Sequence, residues 1–302
     1  MRIAVTGREG QVAKSLAEEA AKRPGIELIT VGRPDLDLTS SHTVIPALVA
    51  ARPDLIVSAA AYTAVDQAEN EPEIAYAVNA DGAGKVAEAA AEIGVPIIHL
   101  STDYVFDGNG SGDYREDAQT GPQGVYGASK LAGEKKVAEA QPKHLIFRTA
   151  WVYSPFGKNF LKTMLRLASD RDEIAVVSDQ WGNPTSAQDI ADGILHAATL
   201  LQRNREFAGW GVYHLAGAGA TNWSGFARHI LDTSARHGGA TARVREIATA
   251  EYPTKARRPG DSRLSTDKFS DTFGWRAPDW RQSTEKVVHR LVGDEAGQTR
   301  KA

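Results

Sequence analysis

The sequence contains no cysteine, which excludes disulfides, thiolate nucleophiles and cysteine-built metal cages together. Any redox chemistry must therefore come from a bound cofactor. A charge field of one sign is also lacking, since 35 lysines and arginines stand against 38 aspartates and glutamates, for a formal charge of -3. Such a balance gathers neither nucleic acid nor an anionic membrane surface and leaves a small diffusible substrate as the expected partner. Long apolar runs are missing too. Residues 1–5 pass straight into a glycine turn, too short a run for a signal peptide's apolar core, and no later run reaches membrane-spanning length. A soluble cytoplasmic protein with no nucleic-acid or membrane partner is expected. The eight histidines show no His-Glu-x-x-His spacing, so no metal site is assigned. His99 and His214, beside apolar runs, read as core histidines.

What is present is enough apolar material, 42% of 302 residues, to bury a substantial core. Short apolar runs at residues 2–5, 26–31, 55–59, 95–100 and 145–147 alternate with alanine-rich helical stretches at 10–23, 39–51 and 73–93, and a further helix opens near Val125. That β-α-β-α order predicts a parallel sheet with helices on both faces, a doubly wound α/β fold. Gly25, Pro53, Gly94 and Pro96 fall at the expected element edges. Residues 102–124 are glycine-rich without helical periodicity and predict a long loop, a candidate wall of an active site. After Trp151 the alternation loosens and Pro155, Pro184, Pro253, Pro259 and Pro278 divide the chain, as a second, smaller lobe would require. The polar residues 293–302 are expected to fray.

Two motifs carry chemistry. Gly7-x-x-Gly10-x-x-Ala13 follows the first strand and opens a helix, the setting in which small residues let the backbone approach a pyrophosphate at a helix N-terminus. Those glycines alone would also fit an ordinary strand-to-helix turn. An acidic residue about 20 positions beyond such a turn usually holds the adenosine ribose. Here Arg33 occupies that strand end, and its guanidinium suits a 2′-phosphate, which favours NADPH. Asp35 and Asp37 follow closely and suit a ribose hydroxyl, so NADH stays open. The second motif, Val125-Tyr-Gly-Ala-Ser-Lys130, places Tyr126 and Lys130 one helical turn apart. An ammonium there is expected to favour the phenolate of Tyr126. Thr102, at the C-terminal end of the fourth strand where open sheets bind ligands, is available to a carbonyl near a nicotinamide. Tyr126 would donate a proton, Lys130 would hold the nicotinamide ribose, and a reduced cofactor would supply hydride.

At these residues the chain resembles the extended short-chain dehydrogenase/reductase superfamily and, more narrowly, the dTDP-4-dehydrorhamnose reductase family. The resemblance extends through Ser58-Ala-Ala-Ala-Tyr-Thr-Ala-Val-Asp66, Ser101-Thr-Asp-Tyr-Val-Phe106, Phe147-Arg-Thr-Ala-Trp-Val-Tyr153, Asp179-Gln-Trp-Gly-Asn-Pro-Thr185 and Arg258-Pro-Gly-Asp-Ser-Arg-Leu264. It implies a Rossmann-type doubly wound sheet with a smaller C-terminal α/β lobe. Residues 1–155, with 186–220 returning to them, would bind the dinucleotide, and 156–185 with 221–302 the sugar nucleotide. Gly7, Gly10, Gln11 and Val12 would meet the pyrophosphate. Arg33, Asp37 and Leu38 would lie at the adenosine, and Ala59, Ala60, Ala61, Tyr62, Thr63 and Leu100 along the strand-end side of the cofactor. Tyr126 would be the proton donor, Lys130 its partner, and Thr102 would tune the pair. Thr102, Asp103 and Trp151 would meet the sugar, and Arg258 and Arg263 its pyrophosphate. The implied reaction reduces the C4 ketone of dTDP-4-dehydro-β-L-rhamnose to dTDP-β-L-rhamnose. A homodimer is compatible with the resemblance. Ala187-Gln188-Asp189 offers an amide where a carboxylate of a Mg2+ pair is implied, which argues against metal dependence. Tyr104 stands where related dehydratases carry glutamate, which disfavours dehydration. A 4-epimerase that retains NAD, and a non-catalytic dinucleotide-binding regulatory subunit, are the competing readings.

Overall fold

The computed structural model describes residues 1–110 and 112–299, the last six of these as backbone alone. In chain order come β1 (Arg2–Thr6), α1 (Gln11–Ala21), β2 (Glu27–Val31), α2 (Ser41–Ala51), β3 (Leu55–Ser58), α3 (Val65–Ala68), α4 (Pro72–Tyr76), α5 (Ala83–Ile93), β4 (Ile97–Thr102), α6 (Val125–Ala140) and β5 (His144–Thr149). There follow β6 (Val152–Tyr153), α7 (Phe160–Ala168), β7 (Glu173–Val177), β8 (Trp181–Gly182), β9 (Thr185–Ser186), α8 (Ala187–Arg203), β10 (Gly211–His214), β11 (Thr221–Asn222), α9 (Trp223–Arg236), β12 (Arg243–Ile247), α10 (Asp267–Phe273) and α11 (Trp280–Thr299). The last helix continues through Gly293, where fraying was expected, to Thr299, and residues 300–302 lie outside the described residues.

Six parallel strands pair in the order β10-β5-β4-β3-β1-β2. Side chains alternate across a strand, and β1 shows the consequence. Ile3 and Val5 enter one apolar core with Leu16 of α1 and Ile190 and Ile194 of α8, whereas Ala4 enters the opposite core with Leu48 of α2, Val86 of α5 and Val137 of α6. Both faces are covered, which is why β4 is buried along its whole length. The order reverses between β1 and β3, so the turns after these strands flank the switch point where open sheets bind ligands.

The second lobe has its own core of Leu161, Met164, Phe226, Ile230, Trp280 and Val288, around the parallel β7–β12 pair. One segment departs from the expected division. Phe269 and Phe273 of α10 pack beside Phe147 in the sheet's core, so the chain returns to the sheet after residue 221 as well as before it.

The helix expected over residues 73–93 is interrupted. Residues Ala77–Gly82 form a π-helical turn between α4 and α5, and it brings Asn79 against the helix that carries Tyr126. A Cβ on Gly133 would sit 2.0 Å from the Asn79 carbonyl oxygen, and one on Gly127 2.1 Å from that of Tyr104. Backbone therefore packs on backbone along α6, and only glycine fits at these two positions.

Candidate active site

The cofactor side begins at Gly7, whose φ of 93° lies in the region glycine tolerates and lets its N–H reach the Val31 carbonyl at 2.7 Å. Gly10 then caps α1 without a side-chain bond, no acidic residue occupies the first turn, and the space a Cβ would fill is open. The first amides of α1 are thus free of side-chain caps at the sheet's switch point, as a pyrophosphate cradle requires. Val12 packs against the sheet's core. Across the switch point, the Ala59 and Ala60 amides each donate to the Thr6 hydroxyl at 3.0 Å, which fixes the turn after β3. Ala61 and Tyr62 are partly buried beyond it, and Thr63 is exposed. The Tyr62 amide donates to Asn79 Oδ1 at 2.8 Å, while Asn79 Nδ2 reaches the Ser129 hydroxyl at 3.0 Å. Asn79 thereby ties the turn after β3 to α6, a role its place inside an alanine-rich helical pattern did not signal.

Other expected contacts fall differently. The Gln11 side-chain oxygen accepts from Ser154 Oγ at 2.8 Å and Asn159 Nδ2 at 2.9 Å, so this side chain bridges from α1 to the segment before α7. Arg33 is exposed, and Arg8, from the glycine turn, reaches its carbonyl at 3.2 Å and pairs with Asp35 at 2.5 Å. Two guanidiniums therefore share this corner, of which the sequence reading had only one. Asp37 Oδ1 accepts from the Thr39 amide and hydroxyl, bonds that hold its carboxyl below the usual range. Leu38 is buried beside it.

On the other side of the candidate site, Leu100 and Thr102 lie at the end of β4, Asp103 follows in a 3-10 turn, and α6 packs against them. Tyr126 is partly buried and meets the Tyr104 ring edge-on at 5.5 Å. Burial raises its pKa well above the usual value, Thr102 opposes that rise, and the Asp103 charge adds to it. Lys130 shares the helix but not the expected contact. Its Nζ donates to the Leu100 carbonyl at 2.7 Å. Lys130 is 3% exposed, and desolvation brings its pKa down to about 8 against the opposing pull of Glu134. That glutamate forms a buried pair with Arg148 at 2.9 and 2.7 Å and accepts from Ser101 at 2.5 Å.

Asp103 is buried, and desolvation raises its carboxyl to about 6 although Ser262 and Thr102 bond to it. Ser262 Oγ donates to Oδ2 at 2.6 Å and Thr102 Oγ1 to Oδ1 at 2.9 Å. Arg258 pairs with Asp66 at 2.9 Å and bonds Tyr104, while Arg263 pairs with Asp261. Both arginines expected at a substrate pyrophosphate are thus engaged by carboxylates. Trp151 lies flat on Trp223, 3.6 Å between ring centroids, over Gly182, where a Cβ would meet the indole at 2.6 Å. His99 and His214 are core residues bonded to Ser58 Oγ and the Ser265 carbonyl.

Comparison with known proteins identifies the family. The chain matches the family described as RmlD substrate binding domain over residues 1–292. It is 51% identical to the dTDP-4-dehydrorhamnose reductase of Sinorhizobium fredii over 292 residues, 97% of this chain and 98% of that one. A crystal structure of a dTDP-4-dehydrorhamnose reductase from Clostridium acetobutylicum superposes with a TM-score of 0.88 at 35% identity, covering 96% of this chain and 99% of the other. The Bacillus anthracis dTDP-4-dehydrorhamnose reductase in complex with NADP gives 0.86 at 35% identity, over 95% and 98%. The chain therefore belongs to the dTDP-4-dehydrorhamnose reductase family.

Proposed function

We propose that the chain reduces the C4 ketone of dTDP-4-dehydro-β-L-rhamnose to dTDP-β-L-rhamnose, using NADPH in preference to NADH. The observation that carries this reading is the gathering of Tyr126, Thr102 and Lys130 at the sheet's C-terminal edge, beside a helix N-terminus free of side-chain caps. The cofactor fits that cradle, since the α1 amides and Gly10 would hold its pyrophosphate, and Arg33 and Arg8 a 2′-phosphate. A bound reduced nicotinamide supplies the hydride. NADP in the Bacillus anthracis relative supports the choice of phosphate-bearing cofactor.

The chain's own residues do the rest. Burial keeps the Tyr126 phenol protonated at neutral pH, as a proton donor to a developing C4 alkoxide must be. Thr102 opposes that burial and eases the departure of the proton. Lys130, anchored on Leu100, keeps further ammonium protons for the nicotinamide ribose and places positive charge near the phenolate as it forms. Trp151 walls the sugar side, and Arg258 and Arg263 would exchange a carboxylate for the sugar diphosphate. We assign the dinucleotide to the sheet and the sugar nucleotide to the lobe of α7, α9 and α11. Among the described residues no helix is long and apolar enough to cross a membrane, which agrees with a cytoplasmic site of action. The test is NADPH absorbance in the presence of dTDP-4-dehydro-β-L-rhamnose. Stoichiometric oxidation with formation of the 6-deoxy sugar nucleotide is expected, and no oxidation at high enzyme concentration refutes the reading.

A further inference from the structure

Tyr126 is the second residue of α6, a helix whose N-cap, Gly124, has no side chain to offer its first amides. The cap comes from elsewhere in the chain. Glu69, 56 residues upstream of Val125 and at the end of the short helix α3, accepts the Val125 amide on Oε1 at 2.8 Å. A Cβ on residue 124 would stand 2.6 Å from that same oxygen, so the bare glycine makes room for the carboxylate. On the far side of the tyrosine, its carbonyl accepts from Ser129 Oγ at 2.8 Å, and Asn79 holds Ser129 in turn. One helical turn before Glu69, Asp66 makes a second set of long-range bonds. Its Oδ1 accepts the Ala256 amide at 3.1 Å and its Oδ2 the Arg258 guanidinium at 2.9 Å, while Lys255 Nζ reaches Asn70 at 3.2 Å. Arg258 Nε is meanwhile buried without a partner, a donor left for a ligand to satisfy.

We propose that Asp66 and Glu69 are positioning residues, and that α3 is a bracket holding the proton donor and the sugar-nucleotide strap, residues 255–258, in one frame. The inference rests on the reductase reading above. Neither carboxylate touches a reacting atom. Glu69 acts through α6, where a charged acceptor on the first helical amide also meets the positive end of the helix dipole, and so fixes where the next residue, Tyr126, begins. Asp66 acts through the strap. When Arg258 turns to the diphosphate, the bond to the Ala256 amide still anchors that segment to α3. The two anchors bear on different constants. A displacement of about 1 Å at a proton donor can slow the chemical step about 100-fold. A loosened strap weakens the hold on the diphosphate, which is equally present before and during reduction, and therefore appears in KM.

The test is the division between single-turnover rate and sugar-nucleotide KM in NADPH oxidation by the full chain. Glu69→Ala is expected to slow the single turnover about 100-fold with KM within about threefold of wild type. Glu69→Gln, whose amide oxygen can accept the same N–H, should restore the rate to within about threefold. Asp66→Ala is expected to raise KM about tenfold with the single-turnover rate within about threefold, and Asp66→Asn, which can still accept the Ala256 amide, to bring KM back. Failure of either half of this division overturns the bracket, as does a parallel loss in both constants, which general damage to the fold would produce. Should an alanine variant fail to fold, the shortened Glu69→Asp or the lengthened Asp66→Glu takes its place, with the same expected and contrary results. Wild-type protein that oxidises no NADPH overturns the reductase reading and the bracket with it, whereas wild-type turnover without the division overturns the bracket alone.

Discussion

Lys130 is kept at the expense of stability, and the size of that expense is measurable. The side chain is 3% exposed, its Nζ donates to the Leu100 carbonyl, and burial brings its pKa from 10.5 down to about 8. At about 1.36 kcal/mol per pH unit, that descent destabilises the folded protein by about 3 kcal/mol. Lys130→Met keeps the aliphatic stem and removes the ammonium. It also leaves the Leu100 carbonyl without this donor, a loss of about 1 kcal/mol. The variant should therefore be inactive and yet more stable by about 2 kcal/mol at pH 7. The sign of the pH dependence follows from the depressed value. Below about pH 8 both states carry the charged lysine and the penalty is complete, and between 8 and 10.5 the unfolded chain binds more protons than the folded one. Wild-type stability contributed by this group should therefore rise with pH across that interval, and the advantage of the variant should vanish at about pH 9.5 and reverse by about pH 10.5, where only the lost hydrogen bond remains. Urea unfolding of both proteins at neutral and alkaline pH reads the difference directly. A variant less stable than wild type at pH 7, or an advantage that does not change with pH, would refute the reasoning.

Arg33→Ala should raise the Michaelis constant for NADPH about tenfold or more while leaving that for NADH nearly unchanged, since a charge-assisted contact with the 2′-phosphate is worth about 1.5–3 kcal/mol. An unchanged ratio of the two constants removes Arg33 from the account, and the same measurement on Arg8→Ala asks whether the second guanidinium serves that corner instead. Arg148→Met leaves Glu134 buried without its partner and should destabilise the fold by about 3–5 kcal/mol. Thermal or urea unfolding checks this, and a loss below about 1 kcal/mol would mean that the pair contributes little.

Local signals made half of the molecule legible. Of the five apolar runs that became β1 to β5, those of β1, β3, β4 and β5 are largely buried in the sheet, so they read as continuous rather than alternating, and the glycine turn and the Tyr126 helix announce themselves over a few residues each. What was not legible depends on partners far away in the chain. The sixth strand, β10, is only Gly211–His214 and is recognisable by its pairing with β5. Ser262 meets Asp103 across a separation of 159 residues, and Arg258 meets Asp66 across 192. Lys130 illustrates the limit most plainly. Its helical spacing from Tyr126 was read correctly, but a long side chain has many rotamers, and the Leu100 carbonyl, set by the sheet rather than by the helix, decides which one it takes. Asn79 escaped notice for a related reason, because only a π-helical turn brings it to Ser129 and Tyr62.

The central claim is that the Tyr126 phenol protonates the reduced sugar. Tyr126→Phe removes that proton and little else, since the ring and its edge-on contact with Tyr104 are retained. Single-turnover NADPH oxidation with dTDP-4-dehydro-β-L-rhamnose should slow about 10²–10⁴-fold while NADPH affinity, read by fluorescence titration, stays within about twofold. A first turnover as fast as wild type at equal cofactor affinity would contradict the account.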